Sequence, residues 1–204
     1  QMPVPRIDRE LLKEHCGGLL ALTGSLSGEI PQELLAGRHD AARDLTRFYT
    51  DMFDDGCFYL EIVRNGISEQ DDVNKLLVTL SQDLDLPLVA TADAHYNTEE
   101  EAAAHEVLMC VQMGRVLPTL ETKARITDEL HLAPASEMVE RFADLPEAVA
   151  NTQRIADACD VDLHLGKTYL PTYEVPEEYD TESYLRHLAG EGLTARLAAA
   201  RALG

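Results

Sequence analysis

The sequence predicts an α/β fold whose strands lie in the first half of the chain, followed by a mostly helical segment. Three observations carry this. Residues 18–23 (GLLALT), 57–63 (CFYLEIV) and 86–96 (LPLVATADAHY) are short apolar runs of the kind buried on both faces of a parallel sheet. Helical patterns separate these runs, the order expected of parallel strands joined by crossovers. An eight-stranded α/β barrel needs roughly 200–250 residues with strands throughout. A chain of 204 residues with strands only in its first half reads as the end of one α/β domain joined to the start of something else.

Residues 8–15 predict a short helix capped by Asp8, ahead of the first strand. Helices follow at 31–36 and 40–52, the second with Ala41, Leu45, Phe48, Tyr49 and Met52 along one side. The strand at 57–63 leads to a helix over 69–84 and then to the strand at 86–96. Thr98-Glu99-Glu100-Glu101 is a helix start, with Thr98 as cap and Glu101 at the capping-box position, and that helix runs to Met113. Residues 130–133 predict a short strand, and 136–142 and 146–159 are helices. Pro146 suits a first helical turn. The proline-rich stretch 171–179 (PTYEVPEEY) predicts irregular structure. The helix over 181–202 is rich in Leu, Ala and Arg and requires a partner for its apolar side. There is no internal repeat.

The net charge of −20 repels phosphate backbones, and no Lys/Arg cluster forms a counter-patch, so these residues alone do not predict a grip on DNA. The same charge also suits any soluble acidic protein. No apolar stretch approaches the roughly 18–20 residues a membrane span requires, and there is no signal-peptide pattern. The opening Gln1-Met2-Pro3 reads as an excised piece rather than a natural start. Cys16, Cys57, Cys110 and Cys159 show no CxxC spacing. That usage suits the cytoplasm and argues against a disulfide framework or a zinc ribbon.

Asp93 and His95 are the main candidates for chemistry. On a strand, positions i and i+2 share a face, and the C-terminal rim of buried parallel strands is where α/β enzymes place their sites. A carboxylate beside an imidazole begins a site for zinc, manganese or iron; the alternative is a capping aspartate and a hydrogen-bonded histidine. Ser25, on the same expected rim, lacks the strand–GxSxG–helix elbow of a nucleophile and reads as a turn serine. Glu61 is either a rim carboxylate or a hydrogen-bonded strand glutamate. His105 and Glu106 do not form HExxH, because Met109 stands four residues beyond His105, so His105 reads as a packing or interface histidine. Asp83 with Asp85, and Asp160 with Asp162, read as turn residues rather than a two-metal pair.

Taken in order and spacing, GLLALTGSLSGEIPQELLAG, FYLEIVRNGISEQ, LPLVATADAHY, AHEVLMCVQMGRVL, LPEAVANTQRIADAC, LGKTYLPTYEVPE and YLRHLAGEGLTARL resemble the alpha-subunit family of bacterial DNA polymerase III, the family C replicative polymerases. The resemblance implies that residues 1–160 are the C-terminal part of a PHP (polymerase and histidinol phosphatase) domain. Residues 161–204 would then be the linker and helix entering the polymerase palm. The implied fold is a partial PHP-type distorted (β/α)7 barrel followed by a mostly helical segment. In that family a rim cluster holds up to three metals, often zinc, and supports 3′–5′ exonuclease activity in some members. Asp93 and His95 match its last Asp-x-His pair, as ligands for Zn or Mn. Ser25 stands where metal-binding members carry a cysteine, and a hydroxyl is a far weaker zinc ligand than a thiolate. The family's His-x-His motif is missing here, and the polymerase aspartates that hold Mg belong to a later region. The expectation is a cytoplasmic piece of a replicative polymerase whose PHP region is a scaffold with a degenerate metal site. The alternative is a metal-dependent phosphoesterase or 3′–5′ exonuclease of the PHP family. The expected partners are the remainder of the alpha subunit and other replisome subunits, with DNA met through the parent enzyme and no membrane.

Overall fold

A computed structural model describes residues 6–114, 127–162, 165, 166, 168 and 173–203. The chain divides into two compact units, residues 1–160 and 161–204.

The first unit opens with α1 (Arg9–His15), capped as the sequence predicts: the Asp8 carboxylate accepts the Leu11 N–H at 2.8 Å. β1 (Ala21–Leu22), α2 (Glu29–Leu35), α3 (His39–Thr50), β2 (Phe58–Val63), α4 (Ser68–Leu84) and β3 (Leu88–Thr91) follow. The three strands form one parallel sheet in the order β1-β2-β3, with Ala21 opposite Phe58, and Leu60 opposite Leu88. As the central strand, β2 is buried on both faces at Phe58, Tyr59, Leu60, Ile62 and Val63. Phe58, Leu60 and Ile62 meet Ile30 and Leu34 of α2, Ala42 of α3, and Val73, Leu77 and Leu80 of α4 in a single core.

Two strands are shorter than the apolar runs predict. Leu19 N–H turns back onto the Cys16 carbonyl at 3.0 Å, and Gly18 takes a positive φ of 74°. Only the Ala21 and Thr23 N–H groups reach β2, bonding the Cys57 and Tyr59 carbonyls at 2.8 and 3.1 Å. β1 is therefore a sheet edge rather than a buried strand, and Leu19 stays 48% exposed. β3 stops at Thr91, opposite Val63, the last residue of β2. Past Val63 the chain turns away through Asn65 and Gly66 (φ 74°), so residues beyond Thr91 lose the neighbour a strand requires.

The edges of the sheet are treated differently. On β3, the Leu88 carbonyl faces away from β2 and is covered by Asn151, whose Nδ2 donates to it at 2.7 Å. Asn74 of α4 performs a similar task at the end of β2: its amide donates to the Val63 carbonyl at 2.6 Å and accepts the Val63 N–H at 3.3 Å.

After β3, Glu99–Glu101 form a 3₁₀ turn with the predicted Thr98/Glu101 capping box, leading into α5 (Ala102–Met113). The strand expected at 130–133 reduces to one parallel bridge, Tyr96 to His131. α6 (Ala135–Arg141) and α7 (Pro146–Ala158, Pro146 in the first turn) complete the unit. Arg64, one residue past β2, fastens this helical part. Its guanidinium forks onto Asp144 at 2.7 and 2.8 Å and bonds the Arg141 carbonyl at 2.5 Å, while Arg141 returns a bond to the Arg64 carbonyl.

The hydrogen bonds from Arg64 hold the Asp144 carboxyl below the ordinary carboxylate range, against the smaller opposing effect of desolvation. A depressed folded-state pKa stabilises the native state above the unfolded value of about 3.9, and that contribution disappears as pH falls through the folded value. Chemical denaturation from pH 7 down to 2 should therefore show Asp144→Asn losing less stability than the wild type over the acid limb. Parallel curves for the two proteins would show that the pair contributes nothing to acid sensitivity.

The second unit contains α8 (Thr181–Leu203), immediately before which Asp180 accepts the Ser183 N–H at 2.7 Å. The ring of Tyr179, in the irregular stretch before the helix, lies 5.3 Å from Tyr184 and 5.2 Å from His187. Residues 171 and 172 of the expected proline-rich stretch fall outside the described residues. Leu185 and Leu193 remain 68% and 59% exposed, as an uncovered apolar face predicts.

Candidate functional site

Asp93 and His95 come together, although not as strand neighbours. Asp93 sits two residues beyond β3 with a φ of 50°, a left-handed conformation that aspartate tolerates better than most residues. The turn it makes brings its Oδ1 to 3.4 Å from the Nε2 of His95. The backbone then finds a new partner: His95 N–H bonds the Leu130 carbonyl at 2.8 Å, and Leu132 N–H bonds the Tyr96 carbonyl at 2.9 Å. Tyr96 Oη donates to the Asp128 carbonyl at 2.8 Å and accepts the Leu130 N–H at 3.2 Å. Segment 128–132 is thus strapped to the Asp93–His95 turn. From α5, the His105 ring packs 5.3 Å from both His95 and Tyr96, in line with the packing role, one of the two the sequence left open.

The other candidates are occupied elsewhere. Glu61 is held across the sheet: Thr91 Oγ1 donates to its carboxylate at 2.5 Å, and its N–H donates to Thr23 Oγ1 at 2.8 Å. It is the hydrogen-bonded strand glutamate of the two readings. Ser25 lies in the turn after β1, its carbonyl accepting the Gly28 N–H at 2.9 Å, and among the described residues it makes no hydrogen bond to Asp93 or His95. Asp83 pairs with Arg43 at 2.5 Å, and Asp85 is the left-handed cap of α4. Asp160 lies exposed beyond α7.

Asp93 and His95 do not by themselves fit a zinc or manganese centre. They supply two donors where a tetrahedral zinc takes about four. Among the described residues no group of three or more His, Cys, Asp and Glu side chains is arranged to hold a metal ion.

Sequence reasoning missed His131. It is 6% exposed, with Nε2 3.4 Å from Glu137 of α6 and 3.8 Å from Glu99 at the mouth of α5. The hydrogen bond from His131, and after it that from Arg141, holds the Glu137 carboxyl below the ordinary carboxylate range. No sequence signal could have found it: the alternation Leu130-His131-Leu132 would turn the polar side chain outward, whereas the structure buries Leu130 and His131 and leaves Leu132 64% exposed.

Comparison with known proteins gives the class first: the PHP domain family matches residues 1–65, which run from the start of the chain through β2. The chain is also 38% identical over 194 residues to the DNA polymerase III subunit alpha of Borreliella burgdorferi. It is 40% identical over 201 residues to that of Thermus aquaticus, and 36% over 191 residues to that of Pseudomonas aeruginosa. Each match covers 94% of this chain, which spans 17% of the length of the first relative and 16% of the other two. The chain belongs to the DNA polymerase III alpha-subunit family, as a segment that carries its PHP region. Among the described residues no helix is long and apolar enough to cross a membrane.

Proposed function

We propose that this segment serves DNA-templated replication as a structural part of a polymerase alpha subunit, its PHP region acting as a scaffold with a degenerate metal site. The observation that carries this reading is the two-donor Asp93–His95 pair, which stands without a third convergent ligand among the described residues in a chain matched over 94% of its length by alpha subunits. Asp93 and His95 are the donors this stretch contributes to the cluster, and Ser25 occupies the position of the family's thiolate. The family resemblance assigns nucleotide transfer, with its Mg-binding aspartates, to the remainder of the subunit. That remainder and other replisome subunits are the partners in this reading, in the cytoplasm, and DNA is met through them. A net charge of −20 supports that last assignment.

Residues 1–160 form the later part of a distorted PHP barrel in this reading, and 161–204 lead into the palm. The open edge at β1 supports the partial barrel. β3 is closed by Asn151, whereas Leu22 of β1 and Leu19 just before it are exposed, the state of a strand whose outer neighbour belongs to another stretch of polypeptide.

Metal analysis of the purified chain tests the scaffold, beside an Asp93→Ala/His95→Ala double variant. The expected result is less than one equivalent of zinc or manganese, unaltered by the substitutions. Stoichiometric metal that the double variant loses would overturn the scaffold reading in favour of a PHP phosphoesterase or 3′–5′ exonuclease.

A further inference from the structure

α8 carries an apolar stripe that stays exposed. Leu185, Leu188, Gly192, Ala195 and Ala199 follow one another at alternating intervals of three and four residues, the spacing that keeps one side of a helix in register with a second helix. No charged residue interrupts the stripe. Leu185 and Leu188 are 68% and 41% exposed, and the small residues that follow are exposed as well. Leu193 and Leu197 fall on another side of the helix, beside Arg186, and belong to a different surface.

The order of large and small residues indicates what covers the stripe. When a second α8 lies antiparallel on the first, with the two-fold axis at Gly190, Leu185 of each copy faces Ala195 of the other, and Leu188 faces Gly192. Each leucine then meets a small residue, and the stripe completes itself without a second sequence. A parallel pair would set leucine on leucine at one end and small residues on small at the other, forcing the two axes apart. The charges fit the antiparallel register too. Glu182 and Arg196 border the stripe on the same flank, so Glu182 of each helix comes beside Arg196 of the other. Within its own helix Glu182 pairs with Arg186 at 3.0 Å, whereas Arg196 meets no carboxylate among the described residues.

Gly192 is an independent indication. Nothing lies within 4 Å of where its Cβ would stand, so the chain's own packing does not require glycine there. A glycine inside a helix nevertheless costs about 1 kcal/mol relative to alanine. Close approach of a side chain from outside the chain, such as Leu188 of a second copy, requires it.

We propose that α8 is a self-association surface, on which two copies of this chain pair antiparallel through the Leu185–Ala199 stripe between flanking Glu182–Arg196 ion pairs. One helix of 23 residues from each copy makes a small contact, of the weak and reversible kind. The proposal does not rest on the scaffold reading, and its failure would leave that reading untouched.

Sedimentation equilibrium of the full chain, from micromolar to millimolar concentration at about 0.15 M salt, tests it, with the helicity of every variant checked by circular dichroism. The expected result is a monomer–dimer equilibrium. Gly192→Leu should abolish the dimer while keeping or raising helicity, because the chain has room for the side chain and the partner does not. Glu182→Arg and Arg196→Glu should each weaken association roughly tenfold. An equimolar mixture of those two variants should associate again, because each supplies the charge the other lacks. Glu191 meets its own copy beside the two-fold axis, so Glu191→Gln should tighten the dimer about twofold. In a parallel pair Glu191 would instead face Arg196, and the same substitution would loosen it. A chain that stays monomeric throughout would overturn the proposal and leave this face to another segment of the subunit. So would a dimer indifferent to Gly192→Leu, a dimer loosened by Glu191→Gln, or a variant mixture that fails to associate.

Discussion

Phe142→Ala is expected to destabilise the first unit by about 3–5 kcal/mol, the usual cost of truncating a fully buried aromatic side chain. Phe142 is 0% exposed and lies directly after α6, where its N–H bonds the Met138 carbonyl at 3.1 Å and its carbonyl accepts Leu145 N–H at 2.8 Å. Its ring belongs to the same core as Leu60, Ile62 and Ala90 of the sheet, and the Arg64 guanidinium sits 4.9 Å from its centroid. Truncation therefore removes apolar contact from β2, β3 and the helical part at once, and leaves a cavity that backbone bonds on both sides prevent from closing. Urea unfolding monitored by far-ultraviolet circular dichroism measures this directly. A loss below 1 kcal/mol would mean that the sheet and the α6–α7 region do not share one core.

The second large effect is expected at Asn74, where alanine should cost about 3 kcal/mol, because it strands several buried polar groups at once. Asn74 is 7% exposed. Its amide completes both main-chain groups of Val63, and its Oδ1 also accepts the Nε2 of Gln70 at 3.1 Å. Alanine leaves the Val63 N–H and carbonyl without partners at the point where β2 ends. Asn74→Asp is the informative companion: its carboxylate keeps the acceptor and loses the donor to the Val63 carbonyl. If Asn74→Asp is as stable as wild type in denaturant titrations at pH 7, the donor half of the amide is unimportant and the account of the strand end fails.

Both sites bear on the proposed scaffold. Arg64, Phe142 and Asn74 gather where β2 ends, and Val63 is opposite Thr91, two residues before Asp93. The position of the Asp93–His95 turn is thereby tied to the packing of the helices beyond it.

Much of this was legible in the sequence because it is local. Asp8 caps α1 through its own side chain, and Thr98 with Glu101 forms the capping box within four residues. The apolar run 57–63 is buried on both faces at nearly its full predicted length, since every position but Glu61 has apolar character. The pairing of Asp93 with His95 was also foreseen, but for a reason that does not hold. Their proximity comes from a left-handed turn at Asp93 rather than from alternation along a strand, and no periodicity distinguishes the two. Glu61 illustrates the other limit: Thr23 and Thr91, its hydrogen-bond partners, lie 38 and 30 residues away in sequence.

What the sequence by itself determined is the set of helices, the parallel α/β order of the first half, the acidic surface and the kinship with DNA polymerase III alpha subunits. Each of these resides in residue type and short-range spacing. Only the tertiary structure decided where the strands stop, because a strand lasts only as long as its neighbour. It alone showed that Asn151 and Asn74 close backbone groups of the sheet while Leu22 of β1 stays exposed, and that His131, Glu99, Glu106 and Glu137 line one cavity. Burial and charge there depend on contacts between residues distant in the chain, which local composition does not encode.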